Sequence, residues 1–174
     1  MMKTSIATFF CILSCHSFAQ LAPALIPPSK GKLFISVDDK AVIFVNGTEV
    51  HKGDLGESES SDIELKPGDR IVVNLKNTLD KHRFMMLFMS NDRKQMVSFT
   101  SRFFKILPDP LAKDFAATDF AQLRQQARDV RLGDYTKGYP LPFKSTSEWI
   151  WGDVNVCSIG CLLTKEMFKP NLRR

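Results

Sequence analysis

Several residue types and motifs that mark common enzymes and metal sites are scarce or missing in this chain. It holds only three histidines, four cysteines and two tyrosines in 174 residues. It has no His-x-x-x-His, Cys-x-x-Cys or EF-hand loop, which excludes the zinc and calcium-sensor sites built from those spacings. No Gly-x-Ser-x-Gly elbow and no glycine-rich phosphate loop occurs. His51 and His82 lie in no catalytic motif, so we expect a protein that is not an enzyme.

Length and composition indicate one folded domain. One domain usually takes roughly 100–200 residues, and a TIM barrel needs about 250. The chain is 44% apolar and 25% charged, which is not the composition of a disordered protein. Beyond residue 19 there is no run of the roughly 18 apolar residues that a membrane span requires. The sequence therefore predicts a single domain with no membrane span.

The N-terminus has the pattern of a secretory signal peptide. Lys3 precedes a mostly apolar stretch over residues 6–13, and Ser17-Phe18-Ala19 places small residues at both positions read during cleavage. We expect cleavage before Gln20, which makes residues 1–19 a signal peptide. The mature protein would be secreted and extracellular, or in the periplasm or envelope if the source is bacterial. Export together with a modest net charge of +5 in the precursor argues against nucleic acid as a partner.

Cleavage would leave two cysteines, Cys157 and Cys161. An even pair in an exported protein favours a disulfide, which here would close a small loop between two strands. Two free thiols and a metal-binding pair are the alternatives.

Short apolar stretches separated by turns predict an all-β fold after a proline-rich linker over residues 20–31. Turn signals every 8–12 residues or so are typical of a sandwich or barrel. The predicted strands cover residues 32–38, 41–45, 48–52, 63–65, 70–76, 83–89, 95–99, 102–106, 148–151 and 162–168. Asn46-Gly47 predicts a tight hairpin turn, and Asn46 is also a glycosylation site if the source is eukaryotic. Residues 54–62 are polar and acidic, which favours a solvated loop.

One helix is predicted among the strands, over about residues 118–131, from apolar residues at helical spacing. Arg124, Arg128 and Arg131 lie on one flank of it, at positions i, i+4 and i+7. Such a row usually marks a solvated helix face. The alternative is a site for a polyanion such as an acidic polysaccharide. Residues 169–174 are predicted to form a basic tail.

Four aromatic residues are candidate carbohydrate contacts: Trp149, Trp151, Tyr135 and Tyr139. Alternation along a strand places Trp149 and Trp151 on the same face. If that face points inward, the tryptophans belong to the core. If one lies at the rim beside the two tyrosines, the group forms a shallow platform for a sugar ring.

Three segments resemble galactose-binding-like domains: residues 38–50, with an acidic pair before an apolar strand that ends in Val-Asn-Gly; residues 64–73, with Leu-Lys-Pro-Gly before a core strand; and residues 149–168. The resemblance implies a jelly-roll-type β-sandwich over residues 32–168, and the predicted helix is an insertion in it. It also implies a structural calcium ion at Asp38 and Asp39, for which a polar turn is the alternative, and no other cofactor is expected. The family includes sugar binders, adhesion modules and accessory domains of enzymes, so fold alone does not define function.

These features together predict a secreted, non-catalytic binding or interaction module. The favoured ligand is a carbohydrate or an acidic glycan, with an extracellular glycan or matrix component as the partner. One alternative is a structural component of an extracellular or biomineral matrix. A second alternative is a small secreted hydrolase.

Overall fold

The structure, a computed structural model, describes residues 27–78, 81–117, 131–133, 141–142, 145–152 and 154–170. These residues contain two 3₁₀ turns, Ser101–Phe103 and Lys165–Met167. They also contain thirteen strands: β1 (Ser29–Val37), β2 (Lys40–Val45), β3 (Thr48–Gly53), β4 (Gly56–Glu59), β5 (Ile63–Leu65), β6 (Arg70–Lys76), β7 (Phe84–Ser90), β8 (Gln95–Ser98), β9 (Phe104–Ile106), β10 (Arg131–Leu132), β11 (Ile150–Trp151), β12 (Val156–Leu162) and β13 (Phe168–Pro170).

The strands form two antiparallel sheets. The eight-stranded sheet has the order β10-β11-β7-β1-β4, with β5 also paired to β1, β8 to β7 and β13 to β8. The five-stranded sheet has the order β3-β2-β6-β12-β9. The prediction of an all-β, sandwich-like fold is therefore confirmed.

The core lies between the sheets and follows from alternation along the strands. Leu33 and Ile35 of β1 are buried in the same apolar cluster as Ile43 of β2 and Val73 of β6, so both sheets contribute one face to it. Complete burial of such a side chain contributes about 1.5–3 kcal/mol. Residues between them along each strand point outward, which defines an outer face for each sheet.

The outer face of the five-stranded sheet is covered by the chain that follows β9. Phe44 and Val72 point outward and pack with Leu107 and Ala112. Gly160 of β12 permits this close approach, because a Cβ atom there would lie 2.8 Å from Leu107. Burial on both faces explains why residues 41–45 of β2 are all apolar, as the sequence predicts for a central strand.

An ion pair holds the same covering segment. Arg70 of β6 donates through Nε and Nη2 to the two carboxylate oxygens of Asp114, at 2.7 and 2.8 Å. The guanidinium holds the pKa of Asp114 below its usual value. This bidentate geometry is the strong form of an arginine–carboxylate contact.

The predicted disulfide between Cys157 and Cys161 is wrong, because both residues are buried within β12 and are not bonded to each other. Four steps along a strand separate two Cα atoms by about 13 Å, whereas a disulfide needs about 4.4–6.8 Å. Both thiols face the core, and burial raises the pKa of Cys161. The cysteines are therefore packing residues of a central strand.

Three other predictions are corrected by strand pairing. The acidic stretch 54–62 contains β4, which pairs with β1 from Phe34 to Val37 and forms a strand without an apolar pattern of its own. The last predicted strand, over residues 162–168, is interrupted by the 3₁₀ turn Lys165–Met167; only its first residue belongs to β12 and only its last to β13. Arg131, at the end of the predicted helix, pairs with Trp151 as part of β10. The rest of that helix, with Arg124 and Arg128, lies outside the described residues.

Candidate functional site

Trp151, a predicted carbohydrate contact, is a core residue. It is 0% exposed and lies in the cluster between the sheets. Its Nε1 donates to the carbonyl oxygen of Val154 at 3.0 Å, so its polar atom is used within the protein. A residue placed in this way cannot stack on a sugar.

Trp149 lies on the opposite side of the eight-stranded sheet. It packs against the cluster formed by Met85 and Leu87, the outward residues of β7. The Arg83 guanidinium lies 5.9 Å from the centroid of its ring. The prediction that both tryptophans share a face is wrong, because regular alternation does not extend to Trp149: β11 contains only Ile150 and Trp151, and both are in the core. Tyr135 and Tyr139 lie outside the described residues.

The acidic pair of the resemblance, Asp38 and Asp39, forms a polar turn held by protein groups. The buried Asp38 carboxylate accepts a hydrogen bond from Nε of Arg83 at 3.0 Å and a second one from Nη2 of the same residue. Asp39 has φ of 75° and accepts the N–H and the hydroxyl of Thr78. The part of the chain that the structure describes has no group of three or more His, Cys, Asp or Glu that could hold a metal. Both carboxylates therefore bond to protein groups in this turn.

Asn46 and Gly47 form the hairpin turn that the sequence predicts. Their φ angles are 49° and 80°, and positive φ at both central residues is the mark of the tight turn preferred between antiparallel strands. The Asn46 side chain donates to Asp69 at 2.9 Å and accepts the Arg70 N–H at 3.0 Å. The turn is therefore anchored to the start of β6.

A polar cleft of about 300 Å³ lies near the end of β8. It is lined by Thr100, Ser101, Arg102, Thr146, Glu148 and Lys169. Phe99 is buried in the core and Phe168 packs against it. Thr100 and Lys169, the next residues along these extended segments, therefore face the outer side of the eight-stranded sheet. We call this site the polar cleft.

One carboxylate in the polar cleft is fixed by a serine. Ser101 donates both its backbone N–H and its hydroxyl to Oε2 of Glu148, each at 2.9 Å. The Glu148 N–H in turn donates to the carbonyl of Phe99 at 3.0 Å. One oxygen, Oε2, takes both hydrogen bonds from Ser101, and the other, Oε1, accepts no hydrogen bond from the described residues.

The polar cleft also contains a buried hydroxyl without a partner. Thr100 is 8% exposed, and its Oγ1 makes no hydrogen bond within the described residues. Leaving such a group unsatisfied costs about 1–3 kcal/mol. Buried polar atoms in folded proteins nearly always have partners, so this exception calls for an explanation.

Two cationic side chains complete the polar cleft. The exposed Arg102 places its guanidinium carbon 4.5 Å from the centroid of the Phe103 ring. Neither Arg102 nor the exposed Lys169 forms an ion pair with a described carboxylate. With Glu148 ionised, the cleft carries one net positive charge. Its cations can bind an anionic group, and Glu148 can accept from a hydroxyl group, whereas the Thr100 Oγ1 atom is itself buried.

A second cleft of about 300 Å³ lies on the same outer face, toward β4. We call it the edge cleft; the residues that define it here are Lys32, Phe34, Glu59, Met89, Asn91 and Arg93. Phe34 and Met89 supply apolar surface, and Lys32 Nζ donates to Glu59 Oε1 at 2.8 Å. That contact raises the pKa of Lys32.

The two histidines of the described chain have local partners. Nε2 of His51 lies 2.9 Å from Oγ of Ser58, which connects β3 at the edge of one sheet to β4 at the edge of the other. Burial lowers the pKa of His51, but no described carboxylate bonds to its ring, as a catalytic serine–histidine pair would require. His82 contacts Asn155 at 2.7 Å and packs edge-on against the Trp151 ring.

Sequence analysis missed both clefts. The polar cleft joins the end of β8, the segment before β11 and the strand β13, which meet only after β8 pairs with β13. Thr100, Ser101 and Arg102 carry no motif, and nothing in the sequence shows that a hydroxyl there is buried.

No protein-family model matches the chain, and no match was found among curated proteins or solved structures. What the structure bears out of the resemblance to galactose-binding-like domains is the architecture, two antiparallel sheets compatible with a β-sandwich. Within the described ranges, no helix has the length and apolar character to cross a membrane.

Proposed function

We propose that this protein is an exported, non-catalytic binding module whose polar cleft takes an acidic sugar of an extracellular glycan. The observation that carries the proposal is the orphan Thr100 hydroxyl, set in a cleft with two cations and a fixed carboxylate. Buried polar atoms nearly always have partners, so this orphan hydroxyl needs an explanation, and a bound ligand would supply one.

The chemistry of the polar cleft matches both parts of an acidic sugar. Arg102 and Lys169 supply charge-assisted hydrogen bonds to a carboxylate or sulfate, which are roughly twice as strong as neutral ones. In the proposed complex, Glu148 Oε1 accepts from a ring hydroxyl, and the buried Thr100 Oγ1 gains its hydrogen-bond partner from the ligand. The remaining sequence features agree with this assignment: an expected signal peptide, a positive net charge of +5 and a resemblance to a fold family that includes sugar binders.

The test is calorimetric titration of the mature protein with D-galacturonate, with neutral D-galactose as the ligand control. Lys169→Gln should weaken galacturonate binding about tenfold, because a hydrogen bond to a charged group contributes about 1.5–3 kcal/mol. Lys40→Gln removes the same charge from an exposed site on the five-stranded sheet and should leave binding unchanged.

Two results would contradict the proposal. Equal affinity for galactose and galacturonate would show that the cations do not distinguish an acidic sugar from a neutral one. Equal losses in Lys169→Gln and Lys40→Gln would show an effect of overall charge alone. Turnover of an ester that disappears in Ser58→Ala would instead favour the hydrolase alternative, for which the His51–Ser58 contact is the supporting observation.

A further inference from the structure

Glu148 is an unexpected residue in a cleft that takes an acidic sugar. It lines the polar cleft together with Arg102 and Lys169, and among these described residues no ion pair joins the carboxylate to either cation. A carboxylate near an anionic ligand repels it, so on charge alone Glu148 lowers the affinity of the cleft for an acidic sugar. Its presence there needs a reason other than attraction.

Four hydrogen bonds hold Glu148 and its neighbour Ser147 against the segment that follows β8. Ser101 donates its N–H and its hydroxyl to Oε2 of Glu148, each at 2.9 Å. The Glu148 N–H donates to the Phe99 carbonyl at 3.0 Å, and the Phe99 N–H donates to Oγ of Ser147 at 3.2 Å. Turning the carboxylate away would break both charge-assisted bonds from Ser101, so the negative charge is fixed at this wall of the cleft.

The fixed carboxylate acts differently on two parts of a ligand. Its Oε1 accepts no hydrogen bond from the described residues, so it can accept one from a sugar hydroxyl. An anionic group on the same ligand is repelled, and the repulsion grows in proportion to the charge of that group. A sugar with several hydroxyls and a single negative charge therefore gains the hydrogen bond at the smallest electrostatic cost.

We propose that Glu148 is a specificity-determining residue, which makes the polar cleft discriminate against a second negative charge on the sugar. The ligand class is thereby narrowed from an acidic sugar to a singly charged one, such as a uronic acid, as opposed to a doubly charged sugar phosphate. This inference rests on the proposed function, because it takes the polar cleft as the site of an acidic sugar.

The experiment compares D-galacturonate with D-galactose 6-phosphate by calorimetry at pH 8 in a buffer of low ionic strength, where charges are least screened. The phosphate carries nearly two charges at this pH, because its second pKa is about 6. Glu148→Gln should raise the ratio of the affinity for galactose 6-phosphate to that for galacturonate at least about threefold, because one unit charge near the ligand is removed. The glutamine amide oxygen can still accept both hydrogen bonds from Ser101.

Two further variants complete the comparison. Glu148→Ala removes the same charge without placing an amide donor in the cleft, and it should raise the ratio as well. Losing the contact to a ring hydroxyl affects both ligands, so that loss cancels in the ratio. Asp54→Asn removes one charge from an exposed position beside β4, at the opposite edge of the strand series β13-β8-β7-β1-β4, and should leave the ratio unchanged.

The outcomes separate the two proposals. If galacturonate binds and depends on Lys169, but the ratio is unchanged in both Glu148 variants, the specificity inference is overturned and the proposed function stands. The same conclusion follows if Asp54→Asn raises the ratio as much as Glu148→Gln does, or if galactose 6-phosphate binds neither Glu148 variant. If galacturonate does not bind the unmodified protein, both proposals are overturned.

Discussion

Replacement of Thr100 by valine should change the stability of the fold and ligand binding at the polar cleft in opposite directions. Valine has nearly the shape of threonine but carries a methyl group in place of the hydroxyl. The Thr100 hydroxyl is buried without a partner within the described residues, so its removal breaks no hydrogen bond there. Removing a buried hydroxyl usually destabilises a protein because a hydrogen bond is lost. Here no such bond is lost, and the cost of burying the hydroxyl without a partner is removed.

The expected stabilisation follows from that cost. An unsatisfied buried polar group costs about 1–3 kcal/mol, so Thr100→Val should raise the free energy of unfolding by at least about 1 kcal/mol. For a chain of this size, about 1 kcal/mol corresponds to a rise in melting temperature of about 2–4 °C. The same substitution removes a hydrogen bond from the complex, which should weaken galacturonate binding between about twofold and tenfold.

The assay is urea unfolding together with calorimetric titration of the same protein samples. Thr100→Ser is the matched control, because it keeps the hydroxyl and should retain binding. If Thr100→Val lowers the free energy of unfolding by about 1 kcal/mol while Thr100→Ser does not, then the hydroxyl has a structural partner. That result would refute the reasoning and remove the observation on which the proposed function depends.

Three further predictions concern the fold. Cys157 and Cys161 should resist alkylation in the native protein and react fully after unfolding without reductant; a mass lower by two hydrogens would instead indicate a disulfide. Asp114→Asn should cost at most about 1 kcal/mol, because the ion pair with Arg70 is partly exposed. That pair lowers the Asp114 pKa. Its contribution to the free energy of unfolding is therefore fully present above the unfolded pKa of about 3.9 and is lost as pH falls through the folded pKa. The free energies of unfolding of the unmodified protein and Asp114→Asn should therefore converge in acid. Gly31→Ala should destabilise by about 1–3 kcal/mol, because the new Cβ would lie 2.1 Å from a backbone carbonyl oxygen of β7. An unchanged melting temperature would contradict the pairing of β1 with β7.

Strands whose alternation is strong are those that the sequence predicts best. Residues 70–76 alternate apolar and polar side chains, and β6 has the same bounds. The apolar stretch 41–45 lies within β2, and Asn46-Gly47 forms the turn that follows. In these segments the local pattern and the tertiary packing require the same structure, so the sequence alone is informative.

Segments whose structure depends on a distant partner were predicted poorly. The Cys-Ser-Ile-Gly-Cys segment contains a glycine and a serine, which favour a loop by composition. In the fold, Gly160 is needed for close packing of Leu107, and Ser158 donates to Asn74 of β6 at 2.6 Å. Both residues are therefore suited to a central strand, but only the neighbouring strand and the covering segment show why.

The same limit applies to the candidate site. Aromatic and arginine residues are recognisable in a sequence by their large side chains, and Trp151 was therefore predicted to contact carbohydrate. In the fold it is a core residue. The orphan hydroxyl of Thr100 depends on burial, and burial depends on how β8, β13 and the segment before β11 meet. No property of a threonine in the sequence reports that environment.

The polar cleft differs in the pairing of its polar groups from the covered part of the five-stranded sheet. On the five-stranded sheet, Phe44 and Val72 are covered by an apolar segment, and Arg70 is paired with Asp114. On the eight-stranded sheet, an unsatisfied hydroxyl and two cations without a described counter-charge lie together around one cleft. Selection for stability alone would pair the buried hydroxyl or replace it, because an unsatisfied buried polar group costs about 1–3 kcal/mol. Its retention supports the proposed binding at the polar cleft, and it implies that a substitution of Thr100 that stabilises the fold should weaken ligand binding.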